Sequence, residues 1–493
     1  MKSSYLAFNP GYRLRQDGNR VVLFGEESRI NKTQEWFSFI HPYQAQLLSF
    51  FKGSELFEIE IAKCAAFFKK NVEDILSIIQ PFIENNFWFN YRTKDGSSYS
   101  FPKNVLIYVE KQVASGKINN EFKFLGKPDC ETNRLQFPIN INLELIMACY
   151  TNCEYCYADR SSFNGVTHLS TKRILSLIDE AKKEDCFKFD INGGEVLFHK
   201  DIYAILQHLV SNGFSPLVST KIPLKRDSLK MMKASGIKEF QISLDAADDL
   251  ILMDLLHTPM GYLKKIEKTL QDASDLEIGV KINTVLTTKN CNPITIENLI
   301  QVLIRYTCIK GIRLNPVGVS LYKDYNSFIK LFPSEADIKI IENCIPNWQL
   351  KFGINIELSS FDCKNEFTVQ YRQQNFHKRT ICTGNLWNAV ILPNGDVTVC
   401  EELYMIPEFI LGNVCDASLK EVWNGEKALE LYYDPLKKKR EGQCSFCDEY
   451  KICRTGAGVC WKTILMAYGK DNWHFPDPRC PKAPPPYYRF FYE

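Results

Sequence analysis

No run of roughly 18 consecutive apolar residues, the length a membrane-crossing helix needs, occurs in the 493-residue chain. Met1 to Pro10 lacks the apolar core of a secretion signal. Neither sign of charge is in excess: 60 Lys and Arg stand against 58 Asp and Glu, a net of +2. Nucleic acid and anionic membranes are recognised by clustered basic charge, so neither is expected as a partner. A cytoplasmic location follows as the expectation, and that compartment keeps thiols reduced. The 18 cysteines are therefore not read as a disulfide framework. With 45% hydrophobic and 24% charged residues the composition is globular. The length points to about three domains.

The cysteines are unevenly placed. Eight of the 18 fall between Cys382 and Cys480, which marks that segment as a metal domain. Cys149, Cys153 and Cys156 share one short loop with C-x3-C-x2-C spacing, directly after the strand-like run from Ile139 to Met147. Three thiolates in one loop can hold three irons of a [4Fe–4S] cluster, whose usual complement is four cysteines. The fourth iron is then open to chemistry. A zinc site draws its pairs of ligands from two separate places and fits this spacing poorly. Cys64, Cys130, Cys186, Cys291, Cys308 and Cys344 have no ligand spacing and are expected to be buried free thiols.

Between residues 136 and 347 strand-like runs alternate with helical ones. The strands are predicted near 139–147, 187–192, 216–220, 238–244, 279–286 and 310–315. Helices are predicted near 170–183, 200–212, 225–234, 260–272, 294–306 and 334–344, with Ser170 as an N-cap. Such alternation implies a parallel sheet wrapped by helices. Polar residues gather at the carboxyl ends of the strands, the face that carries the active site in barrel enzymes. They include Gly193, Gly194, Glu195, Ser219, Ser243, Asp245, Asn283 and Asn315.

The loop Cys149-Tyr-Thr-Asn-Cys153-Glu-Tyr155-Cys156-Tyr157, with Asn192-Gly193-Gly194-Glu195 after the next strand, resembles the radical S-adenosylmethionine (radical SAM) superfamily. The resemblance implies an α/β partial (β/α)6 barrel in which S-adenosylmethionine chelates the open iron. Its reductive cleavage gives a 5′-deoxyadenosyl radical that abstracts a substrate hydrogen. By the same resemblance Gly193, Gly194 and Glu195 receive the methionine amino group, and Tyr155 lies near the adenine. Ser243 and Asp245 serve the ribose or carboxylate, and Ser219, Asn283 and Asn315 are further cofactor contacts.

Residues 348–493 resemble the SPASM extension of that superfamily, which binds two further [4Fe–4S] clusters, giving three in all. Cys382, Cys400 and Cys460 would hold the first, and Cys444, Cys447, Cys453 and Cys480 the second. Six residues rather than three precede Cys460 in its final interval. Cys363, Cys415 or an open position completes the first cluster. Glu401, next to Cys400, is the candidate catalytic proton acceptor. The tail from Pro484 is expected to pack back on the body, because so many exposed rings would be a liability.

Residues 1–90 read as a hairpin around Gln16–Asn19 followed by three helices, a winged-helix-like unit, and 91–135 as a linker. With 10 Lys and Arg against 10 Asp and Glu, residues 1–90 lack the basic face of a DNA reader. They resemble the leader-peptide recognition domain often fused to peptide-modifying radical SAM enzymes. The whole chain thus resembles a maturase of ribosomally made peptides. That resemblance implies a precursor peptide as partner, a flavodoxin- or ferredoxin-type electron donor, and an oxidative crosslink as product, thioether before carbon–carbon. A formylglycine-generating sulfatase maturase and a non-catalytic peptide carrier or redox regulator are the competing readings.

Overall fold

The structure, a computed structural model, describes residues 5–28, 32–93, 96–110, 121–130, 132–159, 165–359, 376, 379, 381–433, 442–451, 453–454 and 458–487. The chain forms two compact units, Met1–Gln136 and Phe137–Glu493.

In the first unit β1 (Tyr5–Phe8) precedes an antiparallel sheet of β2 (Tyr12–Asp17), β3 (Arg20–Gly25) and β4 (Trp36–Ile40). Asp17 pairs with Arg20 across the hairpin, and Gly18 takes the left-handed conformation the tight turn requires, at φ +63°. Three helices follow: α1 (Pro42–Ser49), α2 (Phe57–Phe68) and α3 (Val72–Ile79).

The expected linker 91–135 is not one over most of its described length. It takes in half of β5 (Phe89–Arg92), all of β6 (Ser98–Phe101) and all of β7 (Leu106–Val109), which pairs with β1. Tyr99, Phe101 and Leu106 alternate into the unit's core and so hold the segment there. Farther along, buried Arg20 donates to the carbonyls of Asp129 and Arg134, each at 2.7 Å, and Asp17 accepts from the Gln136 amide at 2.8 Å.

The second unit begins with strands and helices in alternation. They are β8 (Asn140–Ile146), α4 (Thr171–Lys183), β9 (Lys188–Gly193), α5 (Ile202–Ser211), β10 (Ser219–Thr220) and α6 (Arg226–Ala234). Next come β11 (Glu239–Ser243), α7 (Asp249–Leu256), α8 (Tyr262–Asp275), β12 (Gly279–Leu286), α9 (Pro293–Leu303) and β13 (Ile309–Pro316). A single turn α10 (Tyr325–Phe328) and the long α11 (Glu335–Phe352) lead to β14 (Ile356–Leu358). β8 pairs with β9, and β10 through β14 pair in sequence order, all parallel. Ser170 caps α4, its hydroxyl accepting from the Arg173 amide at 3.2 Å. The α/β barrel expected from the alternation is present, with two additions. Helix α7 was not anticipated, although Asp248 before an apolar run is a cap signal, its carboxylate accepting from the Leu250 amide at 2.7 Å. Helix α11 continues through Pro346 and stops at Gly353, at φ +66°.

The cysteine-rich region is built onto the same sheet. β15 (Asn388–Ile391) pairs in parallel with β8, and β16 (Asp396–Thr398) and β17 (Ile410–Asn413) extend the sheet antiparallel. One hydrophobic core runs from Phe137 through the barrel strands to Trp423, Trp461 and Tyr468. The described tail folds back: the Tyr487 amide donates to Ala467 at 2.8 Å and its ring meets that of Tyr468. Among the described residues no helix is long and apolar enough to cross a membrane.

Candidate active site

A cavity of about 370 Å³ opens at the carboxyl ends of the barrel strands. Its wall includes Cys149, Cys153, Cys156 and Tyr155 from the loop after β8, and Gly193, Gly194 and Glu195 from the end of β9. Ser219, Thr220, Lys221 and Ser243 line it from the next strands. Glu402 and Lys462 enter from the cysteine-rich region.

The cysteine loop is anchored by the end of α7. The Asn152 amide donates to Leu256 at 3.2 Å and the Glu154 amide to Leu255 at 2.9 Å. Thr151 Oγ1 lies 3.2 Å from the Cys153 sulfur. The two glycines are explained by the chain that leads into this loop. A Cβ on Gly193 would sit 2.3 Å from the Ile146 carbonyl oxygen, and one on Gly194 would sit 2.2 Å from that of Ala148. Close backbone packing, sealed by Gly194 and Glu195 amides donating to those same carbonyls, is what requires glycine here.

Glu195 is almost fully buried and held by three donors: Thr220 Oγ1 at 2.8 Å, the Lys221 amide at 3.2 Å and the Leu197 amide at 3.3 Å. Burial raises its carboxyl pKa and these donors oppose the rise. Tyr155 does not point freely into the space. Its hydroxyl donates to Asp245 and accepts from Lys221 Nζ at 2.9 Å. Asp245 is fully buried behind the wall, its second oxygen accepting from the Val285 amide at 2.8 Å. Asn283 and Asn315 also stand outside the wall, the Asn315 amide donating to the Asn283 oxygen. Of the residues expected around the cofactor, Tyr155, Gly193, Gly194, Glu195, Ser219 and Ser243 meet at the cavity; Asp245, Asn283 and Asn315 do not.

Cys444, Cys447, Cys453 and Cys480 ring a second cavity of about 70 Å³. Donors face their sulfurs: Arg379 Nη2 lies 3.3 Å from Cys453, and the Lys482 amide and Nζ lie 3.4 and 3.7 Å from Cys480 and Cys447. Such donors and positive charge favour thiolates and tune a cluster's potential. Cys460, at the start of the helix Trp461–Tyr468, lies within electrostatic range of both Cys382 and Cys400. Cys415 is exposed and sits elsewhere. It follows Asn413, which pairs with Asp396, whereas Cys400 lies past the opposite end of β16. Cys415 Sγ lies 3.8 Å from the Asn394 carbonyl oxygen, at the other end of β16 from Cys400. Cys363 lies outside the described residues. Of the six unassigned thiols, Cys64, Cys186, Cys291 and Cys308 are buried, Cys344 is partly exposed, and Cys130 is exposed, against expectation.

Among the described residues no three His, Cys, Asp or Glu converge as a single metal ion would need. The thiols of the loop after β8 and those of Cys444, Cys447, Cys453 and Cys480 instead border cavities, as iron–sulfur clusters with several metal atoms require. Glu401 is not in the wall of the large cavity; Glu402, paired with Lys462 at 2.6 Å, and Glu144 of β8 are. Sequence reasoning passed over Glu144 and Lys462. The signal for Glu144 was a carboxylate two places from Asn142 inside an otherwise apolar strand.

A parallel α/β barrel with a three-thiol loop at its first strand end, continuous with a second thiol-rich region, describes an iron–sulfur enzyme. Residues 143–301 match the family model of the radical SAM superfamily, and residues 382–449 match the SPASM iron–sulfur cluster-binding domain. The chain carries a radical SAM domain and a SPASM domain, families that bind iron–sulfur clusters and S-adenosylmethionine. It is 24% identical to the mycofactocin maturase MftC of Mycobacterium tuberculosis, over 70% of this chain and 83% of that one. It is 22% identical to the PqqA peptide cyclase of Rhodopseudomonas palustris, over 60% and 76%. In fold it resembles SuiB of Streptococcus suis, solved alone and with its precursor peptide SuiA. For SuiB alone the TM-score is 0.62 at 16% identity, covering 93% of this chain and 96% of that one; for the complex it is 0.59.

Proposed function

We propose that the chain matures a ribosomally synthesised precursor peptide, installing an oxidative crosslink, with a thioether favoured over a carbon–carbon bond. The observation that carries this reading is the shared cavity. The three-thiol loop, the Gly-Gly-Glu turn and two charged residues of the SPASM side border one space. A substrate there would be bordered by the three-thiol loop on one side and by Glu402 and Lys462, near neighbours in sequence of Cys400 and Cys460, on the other. The curated relatives named above, a maturase and a peptide cyclase, support a peptide as the substrate class. Residues 1–90 are the proposed leader-docking element, raising the local concentration of the peptide at the cavity. An external flavodoxin- or ferredoxin-type protein is the proposed electron source.

The thiol sets fit three [4Fe–4S] clusters: Cys149, Cys153 and Cys156 for the first, Cys382, Cys400 and Cys460 for the second, and Cys444, Cys447, Cys453 and Cys480 for the third. Bound at the first set, cluster and S-adenosylmethionine supply a radical that removes a substrate hydrogen atom. The chain's own residues position and exclude. Glu195, fixed by Thr220, offers a buried carboxylate to the cofactor's amino group. Lys221 places a positive charge beside Tyr155. Glu401, next to Cys400, is proposed to take the proton lost as the substrate is oxidised.

Co-expression with each short peptide that the genes neighbouring this one encode tests the reading. A peptide lighter by two hydrogens per crosslink is expected, together with 5′-deoxyadenosine from the purified enzyme. A peptide of unchanged mass, with S-adenosylmethionine cleaved, would overturn the peptide assignment.

A further inference from the structure

Arg454 follows Cys453 directly in the sequence, and the fold buries it to 6% exposure. Its guanidinium lies 5.8 Å from the ring centroid of Tyr450 and 5.4 Å from that of Trp461. Tyr450 stands between Cys447 and Cys453, and Trp461 follows Cys460, so the two rings come from the two auxiliary thiol sets. Arg454 also borders two cavities. One is the space of about 70 Å³ ringed by Cys444, Cys447, Cys453 and Cys480; the other, of about 30 Å³, is bordered by Cys382. Arg454 Nη2 donates to the Phe475 carbonyl at 3.1 Å, but Nη1 is buried and meets no acceptor among the described residues. The buried carboxylate of Asp477, on the wall of the larger of these two cavities, is already committed. Arg479 pairs with it at 2.8 Å, and the Cys460 amide donates to it at 3.3 Å.

A buried cation with an unmet N–H is costly unless an anion lies beside it. An iron–sulfur cluster with its thiolates is such an anion, and its potential responds to charge and to hydrogen bonds at its sulfurs. We propose that Arg454 is a positioning residue shared by the two auxiliary clusters, its guanidinium bordering the seats of both and its charge raising the reduction potential of both. Reduction adds negative charge, which a nearby cation and its N–H donors stabilise. Both clusters therefore take up an electron more readily than they would without it. Other cations here face one set only. Arg379 Nη2 lies 3.3 Å from the Cys453 sulfur and Lys482 Nζ 3.7 Å from that of Cys447, both of the third set. The inference rests on the reading above that the SPASM region holds two clusters, and it adds the charge that links them.

The test is a potentiometric titration of the reconstituted full-length enzyme, followed by electron paramagnetic resonance, with iron counted for every sample. In Arg454→Met both auxiliary clusters are expected to become at least about tenfold harder to reduce, a fall of about 59 mV for one electron, with iron content unchanged. Arg454→Lys keeps the charge and is expected to recover most of that fall. Lys482→Met is expected to lower the third cluster alone, and the cluster of the Cys149 loop is expected to hold its potential in every variant. Unchanged potentials in Arg454→Met, a shift confined to one auxiliary cluster, or a lysine variant as low as the methionine one would overturn the proposal. If Arg454→Met loses iron, Arg454→Gln, which keeps a donor and drops the charge, is titrated by the same criterion. Iron lost from both of these variants would make the residue structural and overturn the proposal as well. Wild-type enzyme that binds only about four irons per chain would instead overturn the assignment of the auxiliary clusters themselves.

Discussion

Glu195 is held by donors from two strand ends, so it positions the cofactor pocket and also ties β9 to β10. Replacing it with alanine leaves the Thr220 hydroxyl and the Lys221 and Leu197 amides without their acceptor. A loss of about 1–3 kcal/mol is expected, read as a lower melting temperature, together with weaker S-adenosylmethionine binding. Glu144 predicts a pH effect of definite sign. Its folded-state pKa, about 8, lies above the ordinary carboxylate value, so the folded state holds a proton that the unfolded state releases. Stability from this group is full below the ordinary carboxylate pKa and falls as pH rises toward about 8. Glu144→Gln should therefore flatten the decline in melting temperature across that window; an unchanged decline would contradict the raised pKa. The three-thiol loop and the cysteine-dense region stood out from spacing. Glu144 did not, because its surroundings arise only where separate strands converge.

The loop of three thiols depends on elements that flank it. Helix α7 holds it through the Leu255 and Leu256 carbonyls, and the Gly193-Gly194 turn packs against the chain just before Cys149. Gly194→Ala would force a methyl group to 2.2 Å from the Ala148 carbonyl oxygen, so the loop must shift. Iron content after anaerobic reconstitution should fall by about four per chain, one cluster's worth. Strand alternation made the six barrel strands legible, since buried parallel strands read as short apolar runs between helices. Helix α7 was missed because its apolar residues run nearly continuously and hide the helical period. The stretch from Tyr91 to Val109 was mistaken for linker because the polar sequence from Lys94 to Ser98 interrupts the strand-like pattern.

At the scale of the molecule, the barrel and the cysteine-rich region act as one body because β15 adds directly to β8. That pairing brings Glu402 and Lys462 to the cavity of the first thiol loop. Sequence spacing identified both thiol regions, but only the sheet register shows that they meet at β8 and that Cys415 lies away from Cys400. Replacing Cys444 and Cys447 together with alanine should remove about four irons per chain and lower the yield of modified peptide per 5′-deoxyadenosine. The central claim is that the loop of Cys149, Cys153 and Cys156 leaves one iron free for S-adenosylmethionine. Electron paramagnetic resonance of the reduced, oxygen-free enzyme, titrated with S-adenosylmethionine, tests it most directly. One cluster signal should change on addition and 5′-deoxyadenosine should form, and both effects should vanish when the three cysteines are replaced by alanine. A spectrum indifferent to S-adenosylmethionine, or cleavage that survives the triple replacement, would contradict the account.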